Sequence, residues 1–218
     1  MTDCPARRGL TKYAAMSERL LSTHPLLCHP ATPCAAVRGI EVTLHWQVAP
    51  QPALMLAFTL QGDLERVLLP APKPTPARVD GLWQHTCLEA FIGTEGDTAY
   101  REFNFSPSGD WAAYPFNAER VRDAEAAAAM ESLTAPRIIT SGSRDAKAFT
   151  LRAEIPPGWL ASLSNTPCSL GLTAVIESTD GRLTYWALHH PAPHPDFHLR
   201  AGWTARLGVP EILNKNNL

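Results

Sequence analysis

The sequence predicts an all-β protein, an antiparallel β-sandwich of the jelly-roll or immunoglobulin type with one or two short peripheral helices. Apolar residues alternate with polar ones in a series of short segments, which is the period of a half-buried strand. Turn-forming Gly, Pro, Asn and Asp separate these segments, and 20 prolines in 218 residues disfavour long helices. Strands and helices do not alternate in units of about 30 residues, which argues against a parallel α/β sheet.

The N-terminal part is predicted to differ from the rest of the chain. Residues 1–34 form an extension that is partly helical or irregular, because apolar residues stand at helical spacing over 10–22. The Pro- and Cys-rich stretch from there to residue 38 indicates an extended entry strand or a loop. The sandwich domain is predicted to cover residues 35–208. A C-terminal tail follows over residues 209–218.

Within the domain, most segments are predicted to be strands. The segment 70–81 carries four prolines and is expected to be an exposed connection. The Ala- and Glu-rich segment 117–133 predicts a short peripheral helix, and 156–163 predicts one helical turn. The predicted strands cover residues 40–48, 53–60, 64–69, 86–92, 99–105, 110–116, 136–141, 148–155, 169–177, 182–190 and 203–207.

Composition excludes several classes of function. Lys and Arg total 19 against 21 Asp and Glu, a net charge of -2 without the basic excess of a nucleic-acid-binding protein. No run of about 18 apolar residues predicts a membrane span. The sequence lacks a secretory signal and has five cysteines, an odd number. We therefore expect reduced thiols and a cytoplasmic location.

The most promising candidate site lies in residues 82–116. Alternation places Glu89 on one strand face with Phe91, and Glu102 on a face of the next strand with Asn104. Carboxylates, an amide and an aromatic ring suit a sugar, whose C–H faces contact rings and whose hydroxyls bond to planar polar groups. In the alternative interpretation, arginines or loop amides neutralise these carboxylates, which then only stabilise the sandwich.

These considerations define a set of candidate ligand-binding residues. The ring of Trp111 would stack on the ligand, and the carboxylates would accept hydrogen bonds from its hydroxyls. The full set is Glu89, Arg101, Glu102, Asn104, Trp111 and Trp186. No catalytic residue is assigned, although a pair of Glu residues also suits a glycan-active enzyme, and an exposed sheet could instead bind a protein partner.

A cluster of histidines near the C-terminus is not predicted to bind metal. His194 and His198 stand four residues apart, but Pro195 between them disfavours a helical ligand pair. No Cys or Glu lies at ligand spacing nearby. We expect this segment to form loop hydrogen bonds that dock the last strand.

Three segments together resemble a bacterial group of DOMON-like proteins, distant relatives of carbohydrate-binding module family nine. They are LWQHTCLEAFI, YREFNFSPSGDWAAYPF and YWALHHPAPHPDFH, within a resemblance that covers about residues 37–207. The resemblance implies a non-catalytic β-sandwich that binds a small molecule, usually a sugar or a haem. A haem in such relatives has Met and His axial ligands. Only Met55 and Met130 lie inside the domain, and neither has an identifiable His partner. We therefore predict no cofactor, and a haem-binding domain is the alternative.

Overall fold

The computed structural model describes residues 17–49, 51–142, 147–160 and 167–208. In these ranges the chain forms twelve strands and one α-helix, α1 (Ala124–Met130), which confirms the predicted all-β class. The strands are β1 (Ser17–Cys28), β2 (Val37–Ala49), β3 (Ala53–Gly62), β4 (Cys87–Thr94), β5 (Tyr100–Phe105), β6 (Trp111–Ala118), β7 (Val121–Arg122), β8 (Arg137–Ser141), β9 (Ala148–Ile155), β10 (Cys168–Glu177), β11 (Leu183–Ala187) and β12 (Ala205–Leu207).

The strands form two antiparallel sheets that share strand β1. Sheet A has the order β1-β2-β3-β9-β8, and sheet B has the order β7-β6-β5-β4-β10-β11, with β12 also paired to β10. Strand β1 pairs with β2 as far as Leu26, and its last residues, Leu27 and Cys28, pair with β11. One continuous strand therefore connects the two layers of the sandwich.

The hydrophobic core lies between the two sheets. Phe58 of sheet A and Phe103 and Phe105 of sheet B are fully buried in a single apolar cluster. Strand β4 shows the alternation: Leu88, Ala90 and Ile92 belong to that core, whereas Cys87, Glu89 and Phe91 face the outer side of sheet B. The outer face of sheet B is therefore the place where polar side chains of β4 and β5 meet.

Two local predictions are wrong. Ser17–Cys28 is strand β1, so the helix predicted over 10–22 is not formed in its described part, residues 17–22; residues 10–16 lie outside the described ranges. The predicted strand 64–69 begins as a 3-10 helix, Leu64–Arg66, and only Val67 forms an isolated bridge. Leu64 and Val67 are both buried, and residues three apart share a side in a helical turn but not in a strand.

The two predicted helical segments are confirmed but shorter than expected. Helix α1 begins after Asp123, whose side chain accepts a hydrogen bond from the backbone N–H of Ala126, a typical N-cap. A single 3-10 turn forms at Pro157–Leu160, and residues 161–163 of that predicted segment lie outside the described residues. None of the described helices is long and apolar enough to cross a membrane.

The connection between β11 and β12 crosses the outer face of sheet B. We call residues 188–204 the capping loop. Trp203 stacks on Phe91 with ring centroids 5.7 Å apart, and its Nε1 donates to the carbonyl of Phe197 at 2.8 Å. A Cβ atom at Gly171 of β10 would lie 2.4 Å from the Trp203 ring. The indole therefore lies directly against the backbone of the sheet.

Candidate functional site

A cleft of about 410 Å³ lies between the outer face of sheet B and the capping loop. Strands β4, β5, β6, β7, β10 and β11, the capping loop and a 3-10 turn at Leu82–Gln84 supply its walls. The cleft is lined by Trp83, Glu89, Phe91, Glu102, Phe116, Arg120, Arg122, Val175, Tyr185, Pro195, Asp196, Phe197 and His198.

Two carboxyl groups form the polar floor of the cleft. In the ladder Glu89 lies opposite Asn104, and Glu102 lies opposite Phe91, so the two glutamates are diagonal neighbours on one face. Glu89 is 2% exposed, and its Oε2 accepts a hydrogen bond of 3.3 Å from the Thr173 hydroxyl. Its Oε1 is buried and has no hydrogen-bond partner among the described residues.

The second carboxyl group has more partners. Glu102 Oε1 accepts a 2.8 Å hydrogen bond from Asn104 Nδ2, and its Oε2 lies 3.7 Å from His198 Nε2. The carbonyl oxygen of Asn104 is buried and, in the described part of the chain, has no donor. Of these two buried oxygen atoms without a partner among the described residues, Glu89 Oε1 belongs to a residue that lines the cleft, whereas Asn104 lies beneath it.

The pKa values of both carboxyl groups are raised. Burial raises the pKa of Glu89 well above its usual range, the negative charge of Glu102 raises it further, and the hydrogen bond from Thr173 opposes this shift. Burial also raises the pKa of Glu102, against the hydrogen bond from Asn104 and the positive charge of Arg122. Two adjacent buried carboxyl groups thus hold a proton to a higher pH than exposed ones do.

His198 connects the floor to the capping loop. The Tyr100 hydroxyl accepts from the backbone N–H of Arg120 at 3.1 Å and lies 2.7 Å from His198 Nδ1. Burial, reinforced by the charges of Arg120 and Arg122, lowers the pKa of His198 to about 4. The ring is therefore neutral at pH 7. If the Tyr100 hydroxyl donates to Nδ1, the imidazole proton is on Nε2, the nitrogen that faces Glu102.

The rim of the cleft is positively charged but locally compensated. Arg120 donates to Asp196 at 2.8 Å. Arg122 lies 3.8 Å from Asp80, with its guanidinium 3.9 Å from the centre of the Tyr114 ring. Beside it, Trp83 is 36% exposed and contacts Tyr114 edge-on. A partly exposed indole therefore lies at the entrance of the cleft.

The structure brings together only half of the residues predicted to bind a ligand. Glu89, Glu102 and Asn104 share the outer face of sheet B. Arg101, Trp111 and Trp186 are buried on the opposite side of sheet B. The Arg101 guanidinium donates to the Trp159 carbonyl, the Trp111 ring packs edge-on against Trp159, and the Trp186 indole N–H donates to Thr184. The cleft does not contain these three side chains.

Sequence reasoning missed the residues that close the cleft. Trp83 and the arginines at 120 and 122 were not singled out, and the His-rich segment was expected only to dock the last strand. His198 contacts Tyr100, 98 residues earlier in the chain. The sequence signal for His198 is the density of His, Pro and aromatic residues in the segment before β12, and Trp83 lies in one of the segments that carry the family resemblance.

The described residues offer no evident metal centre. No group of three or more His, Cys, Asp or Glu in these ranges is arranged to hold a metal ion. Met130 packs in the core between the sheets, and Met55 is buried on β3 of sheet A. Neither of these methionines lines the cleft, so no Met and His pair of the described residues faces it.

Comparison with known proteins supports the fold. A scan against protein-family models and a search of curated proteins find no match. Among solved structures, the chain is similar to the crystal structure of a "putative carbohydrate-binding protein" from Bacteroides uniformis ATCC 8492, with a TM-score of 0.55 over 84% of each chain. The sequence identity is 13%. The shared feature is the fold.

Proposed function

We propose that this protein is a non-catalytic binding module for a carbohydrate-like small molecule, held in the cleft over sheet B. The observation that carries the proposal is the buried, unsatisfied Glu89 Oε1 on the floor of an aromatic-lined cleft. A buried carboxyl oxygen without a hydrogen-bond partner is unfavourable in either protonation state. Hydroxyl groups of a ligand both donate and accept, so they would supply the missing partner.

The arrangement of polar and apolar groups fits a sugar ring. Hydroxyl groups would donate to Glu89 and Glu102, while a C–H face of the ring would lie on an aromatic side chain. In this proposal Trp83 takes the stacking role first assigned to Trp111, because Trp83 is at the entrance and partly exposed. The fold shared with the Bacteroides protein and the DOMON-like resemblance support the same class of ligand.

A sugar-binding assay tests this proposal directly. We expect members of a panel of neutral and charged mono- and disaccharides to give calorimetric heat and to shift the indole N–H signal of Trp83 in NMR spectra. Trp83→Ala and Glu102→Gln should each weaken binding about tenfold or more, whereas Glu41→Gln, an exposed change on β2, should not. Absence of heat and of shifts with every sugar in the panel would remove the proposal.

A glycan-cleaving enzyme is the second candidate. The observation in its favour is the raised pKa of Glu89 beside Glu102, because glycosidases use one protonated and one ionised carboxyl group. Release of reducing ends from oligosaccharides would support it, provided that Glu89→Gln and Glu102→Gln each abolish the release while the protein stays folded. Binding without any release supports the non-catalytic module.

A further inference from the structure

The charged groups of the cleft fall into two sets. At the rim, Arg120 and Arg122 each have an acidic neighbour, Asp196 and Asp80 respectively. On the floor, no Lys or Arg of the described residues forms an ion pair with Glu89 or Glu102. Among the described residues, the basic group within ion-pair distance of this pair is His198, 3.7 Å from Glu102 and neutral at pH 7. Within the described residues the floor therefore has no Lys or Arg salt-bridge partner, and only the more distant charges of Arg120 and Arg122 act on Glu102.

The side chains around this floor also favour a cation. The rings of Phe91, Phe116, Tyr185 and Phe197 line the same cleft, with Trp83 at the entrance. The faces of aromatic rings carry negative potential and attract cations, most strongly where water is excluded. Buried carboxyl groups surrounded by aromatic rings are a setting in which a ligand ammonium group is bound more favourably than a neutral hydroxyl group.

We infer that the ligand of this cleft carries a protonated amine and that its class is an amino sugar. The inference rests on the proposed function and names the substrate class of the same site. The ammonium group would lie between Glu89 Oε1, to which no described residue is seen to donate, and Glu102 Oε2. The sugar ring would then extend toward Trp83, and its hydroxyls would reach the polar rim.

Binding of an amine to this floor has a consequence for protons. Because both carboxyl groups have raised pKa values, a bound ammonium group favours their ionised form and releases a proton. Affinity should rise with pH while the pair is still being ionised and the amine remains protonated. Titratable or charged groups surround the pair on several elements. They are Cys87 on β4, Tyr100 on β5, Arg120 just before β7, Arg122 on β7, Asp80, and Asp196 and His198 of the capping loop.

Three sugars that differ only at carbon 2 provide the test on the full-length protein. Glucosamine carries an ammonium group there, glucose a hydroxyl and N-acetylglucosamine a neutral amide. We expect glucosamine to bind about tenfold or more tightly than glucose, since a charge-assisted hydrogen bond replaces a neutral one. Calorimetry in buffers of different ionisation enthalpy should detect proton release with glucosamine and none with glucose.

Substitutions on the floor locate the effect. Glu89→Gln and Glu102→Gln preserve side-chain shape and should each reduce the preference for glucosamine to about threefold or less, with proton release lost. Glu41→Gln should keep both. Circular dichroism and unfolding curves establish that each variant is folded.

The possible outcomes separate the two proposals. Equal affinity for glucose and glucosamine overturns the amine inference and leaves the carbohydrate-binding proposal standing. A preference for glucosamine that survives both floor substitutions also overturns the inference. Butylammonium, a protonated amine without a sugar ring, serves as the probe for the amine alone. If it binds at the floor while all three sugars and the wider panel fail to bind, the carbohydrate proposal is overturned and the requirement for an amine is retained. Failure of butylammonium as well overturns both.

Discussion

Glu89 lies on the outer face of a sheet and is nevertheless almost completely buried. Its strand, β4, has a neighbour on each side, and the capping loop crosses above it. An ionised carboxylate without a counter-charge is costly in such surroundings, so the group stays protonated to a higher pH than usual. This single residue therefore links the stability of the fold to the state of the cleft.

Glu89→Gln should change how stability depends on pH. Because the pKa of Glu89 is higher in the folded than in the unfolded chain, its favourable contribution is complete below the unfolded value, near 4.5. The contribution is lost as pH rises through the folded value, at about 1.4 kcal/mol per pH unit within that window. We expect the Gln variant to be more stable than wild type at pH 8.

Urea unfolding at pH 5 and pH 8 checks this expectation. The wild-type unfolding free energy should decrease between the two pH values more than that of Glu89→Gln. Glu41→Gln, at an exposed position of β2, should follow the wild type. Equal pH slopes for wild type and Glu89→Gln would contradict the assignment of a raised pKa to this group.

The sequence predicts which residues share a strand face, but it does not predict which of the two faces lines the cleft. A period of two correctly groups Glu102 with Asn104 and Trp111 with Ala113. It does not say which of the two groups points into the core, because both faces of β4, β5 and β6 are buried. Alternation alone therefore does not distinguish Trp111, a residue of the core, from an aromatic residue that stacks on a ligand.

At the scale of elements, the capping loop depends on one close contact with sheet B. Trp203 lies against Gly171 of β10, and its N–H holds the Phe197 carbonyl. The same contact holds Phe197 and the adjacent His198 in place, and both residues line the cleft. The lack of a Cβ atom at Gly171 is therefore required for the capping loop to pack against sheet B and close the cleft.

Gly171→Ala should displace the capping loop. The added Cβ would lie 2.4 Å from Trp203 Cδ1, so the indole must move, and we expect a loss of about 1–3 kcal/mol of unfolding free energy. The indole N–H signal of Trp203 in NMR spectra should shift as its hydrogen bond weakens. Sugar affinity should decrease in parallel.

Gly39→Ala is the matched control, because a Cβ at this position of β2 meets nothing within 4 Å. It should be neutral or stabilising, since alanine restricts the unfolded chain. A destabilisation of Gly39→Ala equal to that of Gly171→Ala would show that the contact with Trp203 is not the cause.

Elements were predicted well where local pattern and tertiary environment agree. The hairpins of β4, β5 and β6 have alternating strands and tight turns, and they form near the predicted positions. In the segment of β1, pairs of leucines and a central proline interrupt the alternation of a strand, and only the part after residue 22 is predicted to be an extended strand or a loop. The segment becomes a strand because the edges of β2 and β11 offer unpaired backbone groups, a tertiary cause that local sequence does not contain.

At the scale of the whole molecule, β1 determines how the two layers are joined. It completes sheet A through its pairing with β2 and reaches sheet B through Leu27 and Cys28. Leu26 is 4% exposed and belongs to the common core. Removal of this strand would uncover the edges of β2 and β11 at once and open one side of the core.

Two fragments test the contribution of β1 to folding. A fragment of residues 35–208 follows the domain boundary predicted from sequence, and a fragment of residues 17–208 adds β1 and its connection to β2. Because domains are stable by only about 5–15 kcal/mol, we expect the shorter fragment to lose cooperative unfolding or to aggregate through its exposed edges. The longer fragment should unfold in one transition in both circular dichroism and calorimetry. Equal midpoints and equal cooperativity would mean that the sandwich closes without β1 and that residue 35 is an adequate boundary.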